Sequence, residues 1–187
     1  MAKLILASAS PRRRELLTIA GFEFEVRSRP VEEVRRAGES ATEYVRRLSF
    51  EKAAAARTVD EGLILGADTV VVVDDVVLEK PVDQADARRM LALLSGRAHQ
   101  VITGICLLHN HGAVRDHATT QVYFAPLTSQ EIADYAASGE PMDKAGAYAI
   151  QGLASKFVER IEGCYFNVMG LPLPLVYQHW KKLIAGE

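Results

Sequence analysis

Asp68 interrupts an apolar run, LILGADTVVVV at 63–73, whose β-branched residues predict a strand. A lone carboxylate in such a run is costly to bury unless it is paired, hydrogen-bonded or bound to a metal ion. Gly66 and Ala67, immediately before it, leave room for a ligand. With a second acid and a lysine nearby, a strand-end carboxylate can hold a divalent cation against phosphate and activate water. The alternative is an aspartate that caps a turn at the edge of a strand.

Glu33 is a candidate for the second acid, since it lies beside Glu32 in the charged, irregular segment RPVEEVRRAGE at 29–39. A pair of exposed acids is more often ordinary solvated surface. Lys80 is a candidate for the lysine, because Pro81 after it holds its backbone extended and its ammonium can meet a phosphate or a carboxylate. Without such a partner it would be a surface lysine.

Three arginines at 12–14 follow Ser10 and Pro11, which predict the N-cap and the first residue of a helix. Positive side chains are unfavourable there, because the aligned peptide dipoles already give that end of a helix roughly half a positive charge. A bound phosphate would offset the cost, since free backbone amides and arginine side chains both bind anions. The alternative is that neighbouring and distant acids neutralise solvated arginines.

Several familiar catalytic motifs do not occur in the sequence. There is no GxxxxGK[ST], GxSxG, HExxH or GxGxxG segment. The HNH triplet at 109–111 offers two possible metal ligands in a predicted hairpin turn, without spaced partners, so a solvated turn is favoured over a metal or nuclease site. Nothing marks an orienting base near Cys164, which argues against a cysteine nucleophile.

The composition is that of an ordinary globular protein, with 49% hydrophobic and 25% charged residues among 187, and this length predicts a single domain over residues 1–187. The formal net charge of -2 gives no general field for nucleic acid or an anionic membrane, so any anion site must be local. Two cysteines without CxxC spacing suit a reducing compartment, and no apolar run approaches the roughly 20 residues of a membrane span. We therefore expect a cytoplasmic protein with neither nucleic-acid nor membrane partners.

Strands and helices alternate irregularly along the chain, which predicts the α/β class with a mixed sheet. Capping boxes are predicted in SATE at 40–43 and in TSQE at 128–131, and the DD pair at 74–75 predicts a hairpin turn. The glycine-rich segment 141–156 predicts a loop whose backbone can approach a ligand. The predicted strands include 3–8, 22–28, 99–108, 113–124 and 156–163, and the predicted helices are 11–20, 40–57, 84–94, 128–138 and 172–186.

Seven segments together resemble the Maf nucleotide pyrophosphatases, in that family's order and nearly from end to end. A match of separate segments is far more specific than any single motif. The segments are SASPRRRELL at 8–17, EKA at 51–53, GADTVV at 66–71, EKP at 79–81, SGRAHQVITG at 95–104, DKAGAYAIQG at 143–152 and VMGLPL at 168–173.

The resemblance implies a hydrolase that cuts a nucleoside triphosphate between the α and β phosphates and releases the monophosphate and pyrophosphate. It implies a divalent metal cofactor, Mg²⁺ or Mn²⁺, and a homodimer. It also implies an elongated mixed β-sheet with flanking helices and a central cleft, similar to inosine triphosphate pyrophosphatases. Two alternatives stay open: a nucleotide-binding regulator of septum formation without turnover, and an enzyme that removes modified pyrimidine triphosphates.

The resemblance also implies roles for individual residues. Asp68 corresponds to the catalytic base and, with Glu33, would hold the metal ion, while Lys80 corresponds to the lysine of the family's EKP segment. The substrate-binding residues implied in the same way are Ser8, Arg12, Arg13 and Lys52.

Three positions are associated in this family with the choice of nucleobase, and here they are Arg12, Thr69 and Gln151. This set resembles the family branch that hydrolyses dTTP and UTP. The hydroxyl of Thr69 and the amide of Gln151 can read the carbonyl and N–H pattern of thymine or uracil. The branch that acts on 7-methyl-GTP carries a different residue after the aspartate. One departure is the DD pair at 74–75, where relatives often have a glycine, and we expect it to affect hairpin geometry only.

Overall fold

The structure is a computed structural model that describes residues 4–58 and 62–185. Its strands are β1 (Leu4–Leu6), β2 (Phe24–Val26), β3 (Leu63–Val73), β4 (Val76–Leu78), β5 (Ala98–His109), β6 (Gly112–Phe124) and β7 (Val158–Glu162). Its helices are α1 (Pro11–Ile19), α2 (Ala41–Ala55), α3 (Gln84–Leu94), α4 (Ser129–Ala137), α5 (Tyr165–Val168) and α6 (Leu173–Ala185). Short 3-10 helices occupy Glu140–Asp143, Ala145–Ala147 and Leu153–Phe157.

The strands form one mixed sheet in the order β2-β1-β3-β5-β6-β7, with β4 paired to β3. Strand β1 is parallel to both β2 and β3, with Leu4 opposite Phe24 on one side and Leu63 on the other. Strand β4 is antiparallel to β3, and β7 is antiparallel to β6. The predicted α/β class, a mixed sheet with flanking helices, is confirmed.

Both predicted capping boxes are present and fix where α2 and α4 begin. At α2, Glu43 N donates to Ser40 Oγ at 3.2 Å and Ser40 N donates to the Glu43 carboxylate at 2.9 Å. The box of Thr128 and Glu131 at α4 has the same two bonds, at 3.2 and 2.8 Å. Each box satisfies amides that the first helical turn leaves unpaired, which is why a four-residue pattern predicts the helix start.

The hairpin predicted at 74–75 joins β3 to β4. Asp74 and Asp75 both adopt left-handed backbone, with φ of 46° and 63°. A two-residue turn with positive φ at both positions matches the twist of the flanking strands, and aspartate tolerates it better than most residues. The second predicted hairpin, between β5 and β6, is also confirmed.

The predicted boundaries are less accurate than the predicted elements. Helix α2 ends at Ala55 and not at Arg57, and the predicted strand 3–8 is observed only at Leu4–Leu6, with residue 3 outside the described part of the chain. Ser10 lies at the N-cap of α1 but its side chain makes no capping bond. Helix α5 has four residues and was not predicted, since so short a helix leaves no periodic pattern.

The chain divides into two compact units, and it passes between them inside β3, β5 and β6 and again after α5. The first unit comprises Met1–Asp68, Thr103–Ala118 and Gly170–Glu187, and the second comprises Thr69–Ile102 and Thr119–Met169. The single domain over residues 1–187, the elongated shape and the central cleft stay predictions.

Helix α2 packs on the first unit's strands at two glycines. A Cβ on Gly66 of β3 would lie 2.0 Å from the Ser49 carbonyl oxygen and 2.9 Å from the Ala53 nitrogen. A Cβ on Gly104 of β5 would lie 2.3 Å from the Val45 carbonyl oxygen. The helix backbone therefore rests directly on the strand backbones, a distance that no other residue type permits.

The second unit has its own apolar core, in which α3 and α4 pack together. Aromatic rings are central to it: Phe124 lies edge-on to Tyr148 with ring centroids 4.8 Å apart, and Tyr135 lies edge-on to Phe157 at 5.5 Å. The 3-10 helices between residues 140 and 157 contribute Ala147, Ala154 and other buried side chains to this core. The predicted glycine-rich loop is therefore a packed segment and not a loose one.

The two cysteines lie in different units. Cys106 is fully buried in the core of the first unit, and burial raises the pKa of its thiol to about 11. Cys164 lies in the second unit, is partly exposed, and has both its backbone N and O hydrogen-bonded to Thr120 Oγ. Neither forms a disulfide.

Within the described residues, no helix has both the length and the apolar character that crossing a bilayer requires.

We expect Gly66→Ala to destabilise the protein by about 1–3 kcal/mol, because the added methyl must push α2 away from β3. Gly104→Ala should act in the same way, since its methyl meets the same helix backbone. Urea unfolding of each variant against the unchanged chain measures the effect. A Gly66→Ala protein with an unchanged midpoint would show that the helix does not rest on the strand as described.

Candidate active site

Asp68 lies in β3 and is the last residue of that strand to belong to the first unit. It is only 6% exposed. Its Oδ1 accepts a hydrogen bond from Lys52 Nζ at 2.6 Å. Burial raises the pKa of the Asp68 carboxyl, while the charges of Lys52 and Arg13 oppose that shift. The alternative of a turn-capping aspartate is wrong, since Asp68 is a buried residue inside a continuous strand.

Lys52 joins two of the predicted acids. Its Nζ lies 2.6 Å from Asp68 Oδ1 and 2.8 Å from Glu33 Oε1, so one ammonium binds both carboxylates. The two acids differ in environment, because the Glu33 side chain is 47% exposed and that of Asp68 is 9% exposed. The sequence predicted all three residues but placed Lys52 on phosphate and not between the acids.

The close approach of α2 to β3 is what puts Lys52 there. Lys52 follows Ser49 by less than one helical turn, and the Ser49 carbonyl lies over Gly66, two residues before Asp68 in β3. With a side chain at residue 66 the helix would stand further from the strand. The space that Gly66 leaves before Asp68 is thus filled by the backbone of α2 and not by a ligand.

Arg13 is a buried arginine on α1, and its guanidinium is held by the protein itself. Nε donates to the Gly170 carbonyl at 2.8 Å, and Nη1 donates to the Ala67 carbonyl at 2.9 Å and to Ser8 Oγ at 3.0 Å. Burial lowers the pKa of Arg13, and the nearby charge of Asp68 opposes this. Arg13 therefore supplies a fixed positive charge beside Asp68.

The first residues of α1 are connected to the same cluster. Ser8 is buried, and its Oγ accepts from Arg13 Nη1 and from Ser10 N at 3.3 Å. Arg12 is half-buried and close enough for its charge to lower the pKa of Arg13. The structure therefore brings Ser8 and Arg12 to Arg13, whose charge acts on Asp68, and that these residues form an anion site stays a prediction.

Glu33 lies in a segment without regular structure, and Arg47 of α2 fastens that segment. Arg47 Nε and Nη2 donate to the two oxygens of Glu39 at 2.6 and 2.8 Å, Nη2 donates to the Val34 carbonyl at 2.9 Å, and Nη1 donates to Glu51 at 3.0 Å. The hydrogen bonds from Arg47 lower the pKa of Glu39 to about 2. Because Val34 directly follows Glu33, these bonds restrict where the Glu33 carboxylate can lie.

Sequence reasoning missed Arg47 and Glu39. The only pattern that could have indicated Arg47 is its spacing of four from Glu51 on one helix face. Its bonds to Val34 and Glu39 join an irregular segment to a helix, and no periodic pattern encodes such a contact.

Three predicted residues, Thr69, Lys80 and Gln151, belong to the second unit. Thr69 follows Asp68 in β3 and is half-buried, whereas Lys80 and Gln151 are exposed. The Lys80 segment is tied to the loop that leads to Gln151, because Gly146 N donates to the Glu79 carbonyl at 3.1 Å. That these three residues act together with Asp68 stays a prediction.

No group of three or more histidine, cysteine or acidic side chains suited to a metal ion occurs within residues 4–58 and 62–185. The HNH triplet at 109–111 lies at the turn between β5 and β6, and its interpretation as a solvated turn without a metal ion stays a prediction. The acids that come together are the pair formed by Glu33 and Asp68, with Lys52 between them.

This α/β protein with a buried acid and a cluster of cations matches a known family. The family model for the Maf-like protein matches residues 3–183, and the chain belongs to this family.

Curated relatives are similar over nearly the whole chain. A dTTP/UTP pyrophosphatase from Koribacter versatilis is 51% identical over 180 residues, covering 96% of this chain and 93% of that protein. One with the same name from Vibrio cholerae is 54% identical, covering 92% and 94%, and one from Photorhabdus laumondii is 48% identical, covering 99% and 96%. Among solved structures, a HAM1 protein from Coxiella burnetii has a TM-score of 0.46 and 18% identity, covering 68% of this chain and 75% of that one.

Glu39→Gln should lower the free energy of unfolding by on the order of 1 kcal/mol at neutral pH, because it removes the charged partner of Arg47. The pKa of Glu39 is lowered from 4.5 to about 2, so the native state favours the charged carboxylate. The stabilisation is therefore complete above pH 4.5 and is lost as the pH falls towards 2.

Urea midpoints of the two proteins at several pH values measure this difference. Glu32→Gln is a matched control, since Glu32 is an exposed acid in the same segment. The stability of that variant should follow the unchanged chain at every pH. A constant gap between Glu39→Gln and the unchanged chain, independent of pH, would contradict the prediction.

Proposed function

We propose that this chain hydrolyses dTTP and UTP between the α and β phosphates, to the monophosphate and pyrophosphate. The observation that carries the proposal is the buried carboxylate of Asp68, joined to Glu33 through Lys52 and adjacent to Arg13. It is supported by relatives at 48–54% identity that are named dTTP/UTP pyrophosphatases. Modified pyrimidine triphosphates are a further substrate class open to the same site.

A divalent cation, Mg²⁺ or Mn²⁺, fits the two acids. Each carboxylate has an oxygen within 2.8 Å of the same Lys52 nitrogen, so both face one position of positive charge. Mg²⁺ and Mn²⁺ prefer carboxylate oxygen ligands and usually bind one or two carboxylates together with substrate phosphates. Glu33 and Asp68 would hold the ion, which when bound would neutralise phosphate charge and activate water.

Asp68 is the residue proposed to accept the proton of the attacking water. A carboxylate whose pKa is raised by burial accepts a proton more readily than an exposed aspartate does. The charges of Lys52 and Arg13 oppose this rise of the Asp68 pKa, because they favour the ionised form of the carboxyl. Glu33, more exposed, is available to ligands from solvent.

The cations would bind the phosphates and stabilise the charge that develops when the α–β bond breaks. We assign this to Arg12, Lys52 and Lys80, with Ser8 as a hydrogen-bonding partner. Arg13, which is held by three protein oxygens, would act through its fixed charge. Lys80 is exposed, so its ammonium could bind an anion without breaking a buried contact.

Base selection is proposed for Thr69 and Gln151, with Arg12. A glutamine amide carries both donors and an acceptor, so it can match the carbonyl and N–H of thymine or uracil. Cytosine presents an amino group where these bases present a carbonyl, so the same amide orientation disfavours it. The homodimer, the cytoplasmic location and the absence of a nucleic-acid partner stay predictions.

Asp68→Asn should lower kcat for dTTP and UTP by about 10²–10⁴-fold, because it removes the proposed base while keeping the side-chain volume. Pyrophosphate release from dTTP, UTP, CTP, 7-methyl-GTP and ITP, with Mg²⁺ or Mn²⁺, measures the effect. Asp75→Asn is the matched control, since it makes the same chemical change in an exposed hairpin turn and should keep full activity.

Near-normal turnover by Asp68→Asn would show that the assignment of the base is wrong. Nucleotide binding without pyrophosphate release from any triphosphate by the unchanged chain would overturn the hydrolase and favour the regulator of septum formation.

A further inference from the structure

Gln151 lies in a tight turn of the second unit, formed by residues 149–152. Gly152 N donates to the Ala149 carbonyl at 3.0 Å, which closes the turn and places Gln151 at its third position. The Gln151 side chain is exposed, so packing does not fix it. Its position depends on how firmly the backbone of the turn is held.

The N-terminal end of this turn is held by Tyr135 of α4. Ala149 N donates to Tyr135 Oη at 3.1 Å, in a buried contact. The Tyr135 ring is 4% exposed and lies edge-on to Phe157, with centroids 5.5 Å apart. The hydroxyl that accepts this bond is therefore attached to a ring that is packed in the core.

The C-terminal end is held by Glu140. Leu153 N donates to both carboxylate oxygens of Glu140, at 3.0 and 3.1 Å. A Cβ on Gly152 would lie 2.4 Å from this carboxylate, so Glu140 lies directly over the turn. A glycine at 152 is what lets the carboxylate reach the Leu153 amide.

The two anchors are themselves bonded to each other. Tyr135 Oη donates to Glu140 Oε1 at 2.7 Å, so one hydroxyl and one carboxylate connect both ends of the turn. Burial raises the pKa of the Tyr135 hydroxyl, which therefore keeps the proton that it donates. The Glu140 backbone is fixed in turn, because its carbonyl accepts from Lys144 Nζ at 2.7 Å.

We infer that Tyr135 and Glu140 are positioning residues that hold the 149–152 turn so that Gln151 can distinguish uracil and thymine from cytosine. The inference rests on the proposed function, which assigns base selection to Gln151. An amide distinguishes two bases only if its donor and acceptor are held in one orientation relative to the base. A loose turn would let the Gln151 amide rotate and match either base.

Tyr135→Phe tests this with little change in packing. The substitution keeps the ring against Phe157 and removes the hydroxyl that serves Ala149 and Glu140. The preference for dTTP over CTP, as a ratio of kcat/KM values, should fall by about tenfold, mainly through KM for dTTP, with kcat changed less. Glu140→Ala should have a similar effect, and Glu140→Gln a smaller one, since its amide keeps one acceptor oxygen.

Tyr148→Phe is the matched control. It removes another buried tyrosine hydroxyl from the same core, one whose hydrogen-bond partner within the described residues is His99 Nε2, at 2.9 Å, and not the 149–152 turn. The Tyr148→Phe variant should be destabilised about as much as the Tyr135→Phe variant, but it should keep the preference for dTTP over CTP. A general loss of folded protein would lower activity towards both nucleotides equally and would leave their ratio unchanged.

Dissociation constants for dTTP and CTP, measured in an Asp68→Asn background, make the test independent of turnover. The ratio of the two constants should fall by about tenfold on adding Tyr135→Phe. If the unchanged chain releases no pyrophosphate, the proposed hydrolysis fails while this ratio still decides the inference. If dTTP is turned over normally and Tyr135→Phe leaves both ratios unchanged, the inference is wrong and the proposed function stands.

Discussion

The ion pair between Asp68 and Lys52 is the interaction on which the first unit depends. Burying a carboxylate removes its hydration, and the cost exceeds what a distant charge can return, so a cation must lie within hydrogen-bonding distance. Lys52 meets that requirement at 2.6 Å, because α2 approaches β3 through Gly66. The same lysine also binds Glu33, which brings a partly exposed acid close to a buried one.

Two of the predicted functional residues, Glu33 and Gln151, lie on irregular segments, and side chains from neighbouring helices hold those segments. In the first unit, Arg47 of α2 binds the backbone and the acid of the segment that carries Glu33. In the second unit, Tyr135 of α4 and Glu140 hold the turn that carries Gln151. Each anchor combines a carboxylate with a hydrogen-bond donor that belongs to a packed helix. The helix therefore determines where the loop residue lies.

Much of the secondary structure could be predicted because it is encoded locally. Capping boxes at Ser40 and Thr128 and a hairpin turn at 74–75 need only a few neighbouring residues, and all three are present. The division into two units left no trace in the sequence, because the chain passes between them inside continuous strands and not through a linker. Composition cannot indicate a boundary that lies within a strand.

Within the first unit, several of the residues that lie close to Asp68 could be predicted, but the hydrogen bonds that connect them could not. The residue types around Asp68 follow from its chemistry and from the family resemblance, and Ser8, Arg13, Glu33 and Lys52 do lie together. That Lys52 bridges two acids, and that Arg13 binds the carbonyls of Ala67 and Gly170, depends on contacts between residues far apart in the chain. Such contacts become visible only once the strands and helices are assembled.

The placement of the two cysteines gives each unit a different reactivity towards thiol reagents. Cys106 is enclosed in the first unit and its raised pKa of about 11 keeps it in the thiol form, which does not attack maleimides or haloacetamides. Cys164, partly exposed, lies in the second unit. A fluorophore or spin label added to the natural sequence would therefore attach to the second unit and could report on nucleotide binding without an engineered labelling site.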